Sequence, residues 1–155
     1  MSVQFEEITK ETLYIALEII NSNPSYNVLE NGKHKRELAD VEKELLNPVS
    51  TSVFIKLDDT YIGMIDYLME NPKDQCPWLG LLIIHGDYQG FGFGTQAYAL
   101  YESDMRKRGL KRIRLGVIKE NGKAKQFWES LGFLSIKTAL WKNGKEIFVY
   151  EKLFS

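Results

Sequence analysis

Apolar residues recur at three- and four-residue spacings in four stretches of this chain and alternate or run together elsewhere, and that division predicts the elements. Val3 to Ile8 reads as a short strand. Thr9 can cap a helix whose Leu13, Ala16, Leu17 and Ile20 share one face, ending near Asn23-Pro24. Asn21 to Gly32 reads as a polar, turn-rich connection carrying Tyr26 and Glu30. Leu38, Val41 and Leu45 give a second helix that stops before Pro48. Ser52 to Leu57 and Tyr61 to Met69 are rich in β-branched and apolar residues, and Asp58-Asp59-Thr60 between them predicts an antiparallel hairpin.

The run Trp78 to His85 is continuous rather than alternating, which predicts a strand covered on both faces. Directly after it, Gln89-Gly90-Phe91-Gly92-Phe93-Gly94-Thr95 sets three glycines at alternate positions. A helix follows with Ala97, Leu100, Tyr101 and Met105 inward and Gly109 at its end, and then Ile113, Leu115 and Val117 alternate in a strand, completing a β-α-β unit. Asn121 can cap a further helix in which Ala124, Phe127, Trp128 and Leu131 form the apolar face and Gly132 the stop. Phe133 to Leu140 and Glu146 to Phe154 flank Asn143-Gly144, a two-residue hairpin signal. No repeat, linker or low-complexity tract interrupts residues 1–155, so a single domain is expected.

Charge narrows the partners. With 26% charged residues, 44% hydrophobic residues and a net charge of −1, the chain lacks the basic excess of a nucleic-acid binder, and a small-molecule partner is expected. The single cysteine, Cys76, has no internal mate, and the start lacks a basic, apolar leader, so a cytoplasmic setting is expected. No apolar run nears the roughly 20 residues that cross a bilayer, so no membrane partner is expected. One cysteine and two histidines in unrelated places supply no zinc ligand set, and no metal is expected.

The glycine turn carries the chemistry. Glycine tolerates positive φ and close approach, and the helix behind it aims unpaired N–H groups and its positive dipole end at an anion, for which a phosphate or pyrophosphate is the natural guest. A bare connection rarely needs three alternate glycines. Gly92-Phe93-Gly94-Thr95-Gln96-Ala97 satisfies a G-x-G-x-x-A dinucleotide fingerprint, with Glu120 downstream, but that fingerprint belongs after the first strand of a parallel sheet, whereas here two helices and a hairpin come first. A Walker loop fails because no Gly-Lys-Ser or Gly-Lys-Thr follows.

The chain resembles the GCN5-related N-acetyltransferase (GNAT) superfamily, whose acetyl-CoA loop has the form Q/R-x-x-G-x-G/A at a strand-to-helix junction. Gln89, Gly92 and Gly94 match it in order, and a second family element appears as Asn121, Ala124, Phe127, Trp128, Gly132 and Phe133. The order of elements along the whole chain is also the family's. The resemblance implies an α/β (α+β) fold: a mixed, mostly antiparallel central sheet flanked by helices, with a splayed strand pair at the acetyl-CoA site. It implies that main-chain N–H groups of Gln89, Gly90, Phe91, Gly92, Phe93, Gly94 and Thr95 hold the coenzyme A pyrophosphate. Leu82, Ile83 and Ile84 would splay from the next parallel strand, with a bulge among them, and offer main-chain groups to the pantetheine and thioester. An N–H near Ile84 would stabilise the oxyanion of a tetrahedral intermediate. Asn121 would bond the pantetheine or adjacent backbone, with Ala124, Phe127 and Trp128 beside it.

The resemblance further implies acetyl transfer from acetyl-CoA to an amine by direct attack, with coenzyme A as product. Many members carry a tyrosine, proposed to protonate the thiolate, where this chain has Trp128, and indole offers no comparable proton. No carboxylate lies within Trp78 to Ile84, where some relatives keep a base. Asp66 on the preceding strand is the first candidate for that base and Glu70 a weaker one. Tyr26, Glu30 and His34 fall where the superfamily commonly borders the acceptor. His85 is as suited to a structural role as to a base. Trp78 and Trp141 read as core or cleft-lining aromatics, core being the favoured reading, and Arg106, Lys107, Arg108, Lys111, Arg112 and Arg114 as a solvated basic face that could meet the 3′-phosphate. The expected acceptor is a primary amine of a small molecule, with Glu30, Asp66, Glu70 and Asp74 hinting at a cationic one. Two alternatives stand beside this: a non-catalytic acyl-CoA sensor or interaction module, and a dinucleotide-dependent oxidoreductase. The terminal hairpin offers an edge through which the chain could form a homodimer.

Overall fold

One seven-stranded sheet, ordered β1-β2-β3-β4-β5-β7-β6, threads the chain from Val3 to Leu153. The computed structural model describes residues 2–154, with the backbone alone at Asn143. The strands are β1 (Val3–Glu7), β2 (Thr51–Leu57), β3 (Thr60–Leu68), β4 (Trp78–Ile84), β5 (Arg112–Ile118), β6 (Leu134–Leu140) and β7 (Glu146–Leu153). The helices are α1 (Leu13–Asn21), α2 (Pro24–Asn31), α3 (Leu38–Leu45), α4 (Phe93–Lys107) and α5 (Gly122–Ser130). All pairings are antiparallel except β4 with β5, the ends of the expected β-α-β unit. No helix among the described residues is long and apolar enough to cross a membrane.

Period-2 alternation sends each strand's apolar residues to two opposite layers. Ile65, Tyr67, Leu79, Leu115 and Val117 pack with Ala97, Tyr98, Tyr101 and Met105 of α4 and with Trp128 of α5. Phe54, Met64, Leu81 and Ile83 meet Leu13, Ala16, Ile19 and Ile20 of α1 and Val41 and Leu45 of α3 on the other face.

Four expectations are corrected. Residues expected as a loop form α2, because Pro24 occupies the first helical turn, where its missing N–H costs nothing, and Gly32 (φ 77°) closes the end with its N–H on Val28 O at 2.8 Å. Leu38 is 45% exposed at the first position of α3, so Val41 and Leu45 alone bury that helix. The last hairpin has no two-residue turn; residues 141–145 link it through a 3₁₀ turn at Lys142–Gly144, with Trp141 N–H on Lys145 O at 2.7 Å. In β4, Gly80 is exposed and Leu82 half-buried, so the strand is not covered throughout.

The last departure has a cause that builds the site. Asp66 pairs with Leu81 but Tyr67 with Leu79, leaving Gly80 as the extra residue of a β-bulge. The bulge therefore falls two residues before the Leu82–Ile84 segment expected for it. A side chain there would crowd β3, since a Cβ on Gly80 would lie 3.3 Å from Asp66 O. Beyond the bulge β4 leans away from β5, and their pairing is reduced to Trp78 with Arg114.

Candidate acetyl-CoA and acceptor cleft

The divergence of β4 and β5 opens a cleft of about 1460 Å³ lined by Leu79 to Ile84 on one side and Leu115 to Ile118 on the other. His85 N–H donates to Ile62 O at 2.8 Å, and Gly63 stands opposite Ile84. Antiparallel bonds alternate, so the N–H groups of Leu82 and Ile84 face away from β3 toward the open edge. Gly63 permits this close pairing: a Cβ there would overlap Ile83 O.

The glycine turn closes one end of the cleft. Gly90 and Gly92 hold φ of 86° and 83°, a region costly for residues bearing a Cβ. Gly92 is the N-cap of α4, so the N–H groups of Phe93, Gly94 and Thr95 have no preceding turn to bond and face outward with the helix dipole. Gly94 has a packing reason instead, since a Cβ would reach 3.4 Å from the Phe127 ring. A recess of about 300 Å³ lies here between Ile84, Tyr88, Gln89 to Gly90, Gly92 to Thr95 and Phe127. Gln89 contributes more than its backbone: its side-chain amide donates to Ile84 O at 2.8 Å and to Asn23 Oδ1 at 2.6 Å.

Across the cleft, Asn121 Oδ1 accepts from Ala124 N–H at 3.1 Å, the adjacent-backbone alternative for this residue. That cap fixes α5 so that Ala124, Phe127 and Trp128 line the cleft. Trp128 is buried among Tyr98, Phe127 and Phe133 in edge-to-face contacts.

The far end is built by α2 and the β6–β7 link. Tyr26 and Glu30, one helical turn apart, both line the cleft. Glu30 is only 3% exposed; its Oε1 lies 3.3 Å from Lys142 Nζ and 3.9 Å from Arg36, while its Oε2 has no hydrogen-bond partner among the described residues. Burial, and then the nearby Glu30 carboxylate, push the Tyr26 phenol well above its ordinary pKa, so it stays protonated. Trp78 and Trp141 belong to this end as half-buried cleft walls rather than core. Gly116 lies beside the Trp78 ring, and a Cβ there would crowd Ile147 Cδ1 at 2.9 Å.

Asp66 stands just behind the cleft. Its Oδ1 accepts from Ser52 Oγ at 2.7 Å, and a Cβ on Gly80 would lie 3.7 Å from its Oδ2. Burial raises its pKa despite the Ser52 and Ser50 hydroxyls. Glu70 and His34 are exposed away from the cleft lining, and His85 Nδ1 caps the turn before Gln89 by accepting from Asp87 N–H at 3.0 Å. Arg114 is not part of a solvated face; it is half-buried between Asp74 (3.1 Å) and Glu151 (2.8 Å), because it sits at the one paired step of β4 and β5. The sequence reading missed Asn23, whose Nδ2 donates to Ile84 O at 3.1 Å, and Lys142. Asn23 preceding a proline is a helix-start signal; nothing in the sequence brings Lys142 to Glu30.

These features fit coenzyme A: a positive-φ glycine turn before a free helix start for the pyrophosphate, and an open strand edge with outward N–H groups for an amide-bearing arm. The chain's shape has close parallels. A solved acetyltransferase from Thermus thermophilus superposes with TM-score 0.83 at 23% identity, covering 99% of this chain and 98% of that one. An acetyltransferase from Salmonella typhimurium that modifies the N-terminal serine of ribosomal protein L7/L12 gives 0.82 at 11% identity, over 100% and 96%. Spermidine N-acetyltransferase from Vibrio cholerae, solved with CoA and spermine, gives 0.74 at 16% identity, over 98% and 95%. No curated protein sequence matches. The acetyltransferase (GNAT) family model matches residues 14–133, which hold the glycine turn, the splayed strands and the Asn121 helix, and the chain belongs to that family.

Proposed function

We propose that this acetyl-CoA-dependent acetyltransferase, acting as one domain over residues 1–155, modifies a primary amine of a small molecule. The observation that carries the reading is the far end of the cleft, where α2 and the β6–β7 link are bridged by the Glu30–Lys142 ion pair at 3.3 Å, so that side chains wall this end of the cleft. Likeness alone does not choose, since the solved relatives include enzymes for a polyamine and for a protein N-terminus.

Acetyl-CoA supplies the activated acyl group when bound. Of the chain's own groups, the N–H groups from Gln89 to Thr95 take the pyrophosphate, with Asn121, Ala124, Phe127 and Trp128 as the wall for the arm. Leu82, Ile83 and Ile84 present the open strand edge, and Ile84 N–H is the donor for the acyl oxygen. Asp66 is the base for the ammonium proton: burial raises its pKa above that of an ordinary carboxylate, and the missing side chain at Gly80 is its opening to the cleft. Tyr26 and Glu30 hold the acceptor. Trp128 supplies packing and no proton, so the thiolate leaves unprotonated or takes its proton from solvent.

The test is release of coenzyme A with a panel of aliphatic amines, amino acids, aminoglycosides and N-terminal peptides, beside calorimetric titration with acetyl-CoA and NAD. Turnover on small amines is expected. Turnover on peptides alone overturns the acceptor assignment, and acetyl-CoA binding with no turnover on any amine favours a sensor.

A further inference from the structure

Glu30 is an oddity that cofactor binding leaves unexplained. A carboxylate only 3% exposed needs its oxygens bonded, because an unpaired buried charge is costly, yet among the described residues no donor meets Oε2 in hydrogen-bonding geometry, although the Tyr26 phenol stands beside the carboxylate. Arg36 reaches only Oε1, at 3.9 Å, while its other terminal nitrogen bonds Glu44 at 2.6 Å. Lys142 serves Oε1 alone, and its ammonium also lies 4.5 Å over the Trp141 ring. Lys142 thus shows what this corner accepts: an alkylammonium between a carboxylate and an aromatic face, the pair of contacts that favours such cations.

We propose, building on the small-amine reading above, that Glu30 and Trp141 form a second ammonium subsite, and that the acceptor is a linear aliphatic diamine or polyamine. The spacing sets the class. Asn23 bonds Ile84 O at the reacting end, and Glu30 lies seven residues further along the same helix, about 10 Å at 1.5 Å per residue. One amine at the Ile84 edge and a second at Glu30 Oε2 require an extended chain of methylenes between them. The Lys142 side chain is 46% exposed and can withdraw to solvent as the ligand enters. A monoamine of equal length would leave Oε2 unpaired, the situation in which a polar site rejects an analogue lacking its group.

The experiment compares 1,7-diaminoheptane and spermidine with n-heptylamine, in the wild type and in Glu30→Gln and Lys142→Met, with acetyl-CoA affinity measured in parallel by calorimetry. The wild type is expected to favour 1,7-diaminoheptane over n-heptylamine in kcat/KM by about tenfold or more. Glu30→Gln should bring that ratio close to one, chiefly through KM, with acetyl-CoA affinity retained as the sign of a folded protein. Lys142→Met, which removes the internal competitor from the surface, should lower KM for 1,7-diaminoheptane, a gain that loss of structural support would not produce. A wild-type ratio near one, or a Glu30→Gln variant that keeps the full ratio, overturns the subsite. If no amine turns over, the acceptor reading fails separately, and titration of the CoA-loaded protein with spermidine still decides: binding that Glu30→Gln abolishes supports the subsite, and no binding refutes it.

Discussion

The side-chain amide of Gln89 reaches back five residues to the carbonyl of Ile84 at 2.8 Å, and so fastens the glycine turn to the last residue of the strand it follows. The same amide holds Asn23 Oδ1 at 2.6 Å, and Asn23 returns a bond to Ile84 O at 3.1 Å. One carbonyl therefore sets the relative position of β4, the turn and the start of α2, and with it the direction of Ile84 N–H. Gln89→Ala removes two bonds, each contributing about 0.5–1.5 kcal/mol net. Calorimetry should show acetyl-CoA affinity weakened about tenfold, with melting lowered by only a few degrees. Unchanged affinity would separate the turn's geometry from this knot.

The glycines of the turn should fail for different reasons. Gly92 has open space where a Cβ would stand but a φ of 83°, so Gly92→Ala should cost about 1–2 kcal/mol of stability through backbone strain alone. Gly94 has ordinary φ but faces Phe127, so Gly94→Asp adds bulk and a negative charge where an anion belongs. Both Gly92→Asp and Gly94→Asp should abolish acetyl-CoA binding in a protein whose circular dichroism is unchanged. Retained affinity in either folded variant would remove the turn from the cofactor site.

Much of this was legible in the chain because local chemistry dictated it. The glycine turn, the Asn121 cap and the alternation of Ile113, Leu115 and Val117 each have a short-range cause, and the structure has them where the pattern put them. The errors came where a weak local signal was decided by distant partners. The α2 segment is poor in strong helix formers, and it holds because Asn27, fully buried, bonds Ile20 O and His34 O. Gly80 looked like one more residue of an apolar run; only pairing against Asp66 and Tyr67 makes it a bulge. Lys142 and Glu30 are 112 residues apart, beyond any spacing rule.

Asp66 gives a prediction with a definite sign. Burial raises its pKa, and Ser52 Oγ, with one hydrogen, faces two acceptors, Asp66 Oδ1 at 2.7 Å and Leu45 O at 2.9 Å. A protonated Asp66 can donate to Ser52 and let Ser52 donate to Leu45, satisfying both contacts. Because the folded pKa lies above the unfolded one, Asp66 contributes stability that is fully present below the unfolded pKa and is lost as pH rises through the folded pKa. Asp66→Asn should therefore be neutral or stabilising at pH 7 in chemical denaturation, and destabilising relative to wild type in acid. Its kcat/KM should fall about 10²-fold or more and lose the rise with pH expected of a base. A variant with the wild-type pH profile would assign the proton elsewhere.

Arg114 clamps the closed end of the splay that the cofactor enters. It stands at the single paired step of β4 and β5, its N–H on Pro77 O at 3.0 Å, its guanidinium on Asp74 at 3.1 Å and Glu151 at 2.8 Å, while Asp74 also takes the Trp78 indole at 2.9 Å. Burial works to raise the Asp74 pKa, but the Cys76 N–H, Trp78 and Arg114 outweigh it and hold the carboxyl below its ordinary value. A lowered folded pKa gives stability that is present above the unfolded value and lost as pH falls through the folded one. Arg114→Met should cost about 1–3 kcal/mol at neutral pH, in the range of hydrogen bonds to charged groups, and the deficit should shrink in acid as Asp74 protonates. If the clamp positions the strands, acetyl-CoA affinity should fall in Arg114→Met and recover in Arg114→Lys, which keeps the charge. Full affinity in Arg114→Met would show that the splay is held by β4 and the glycine turn alone.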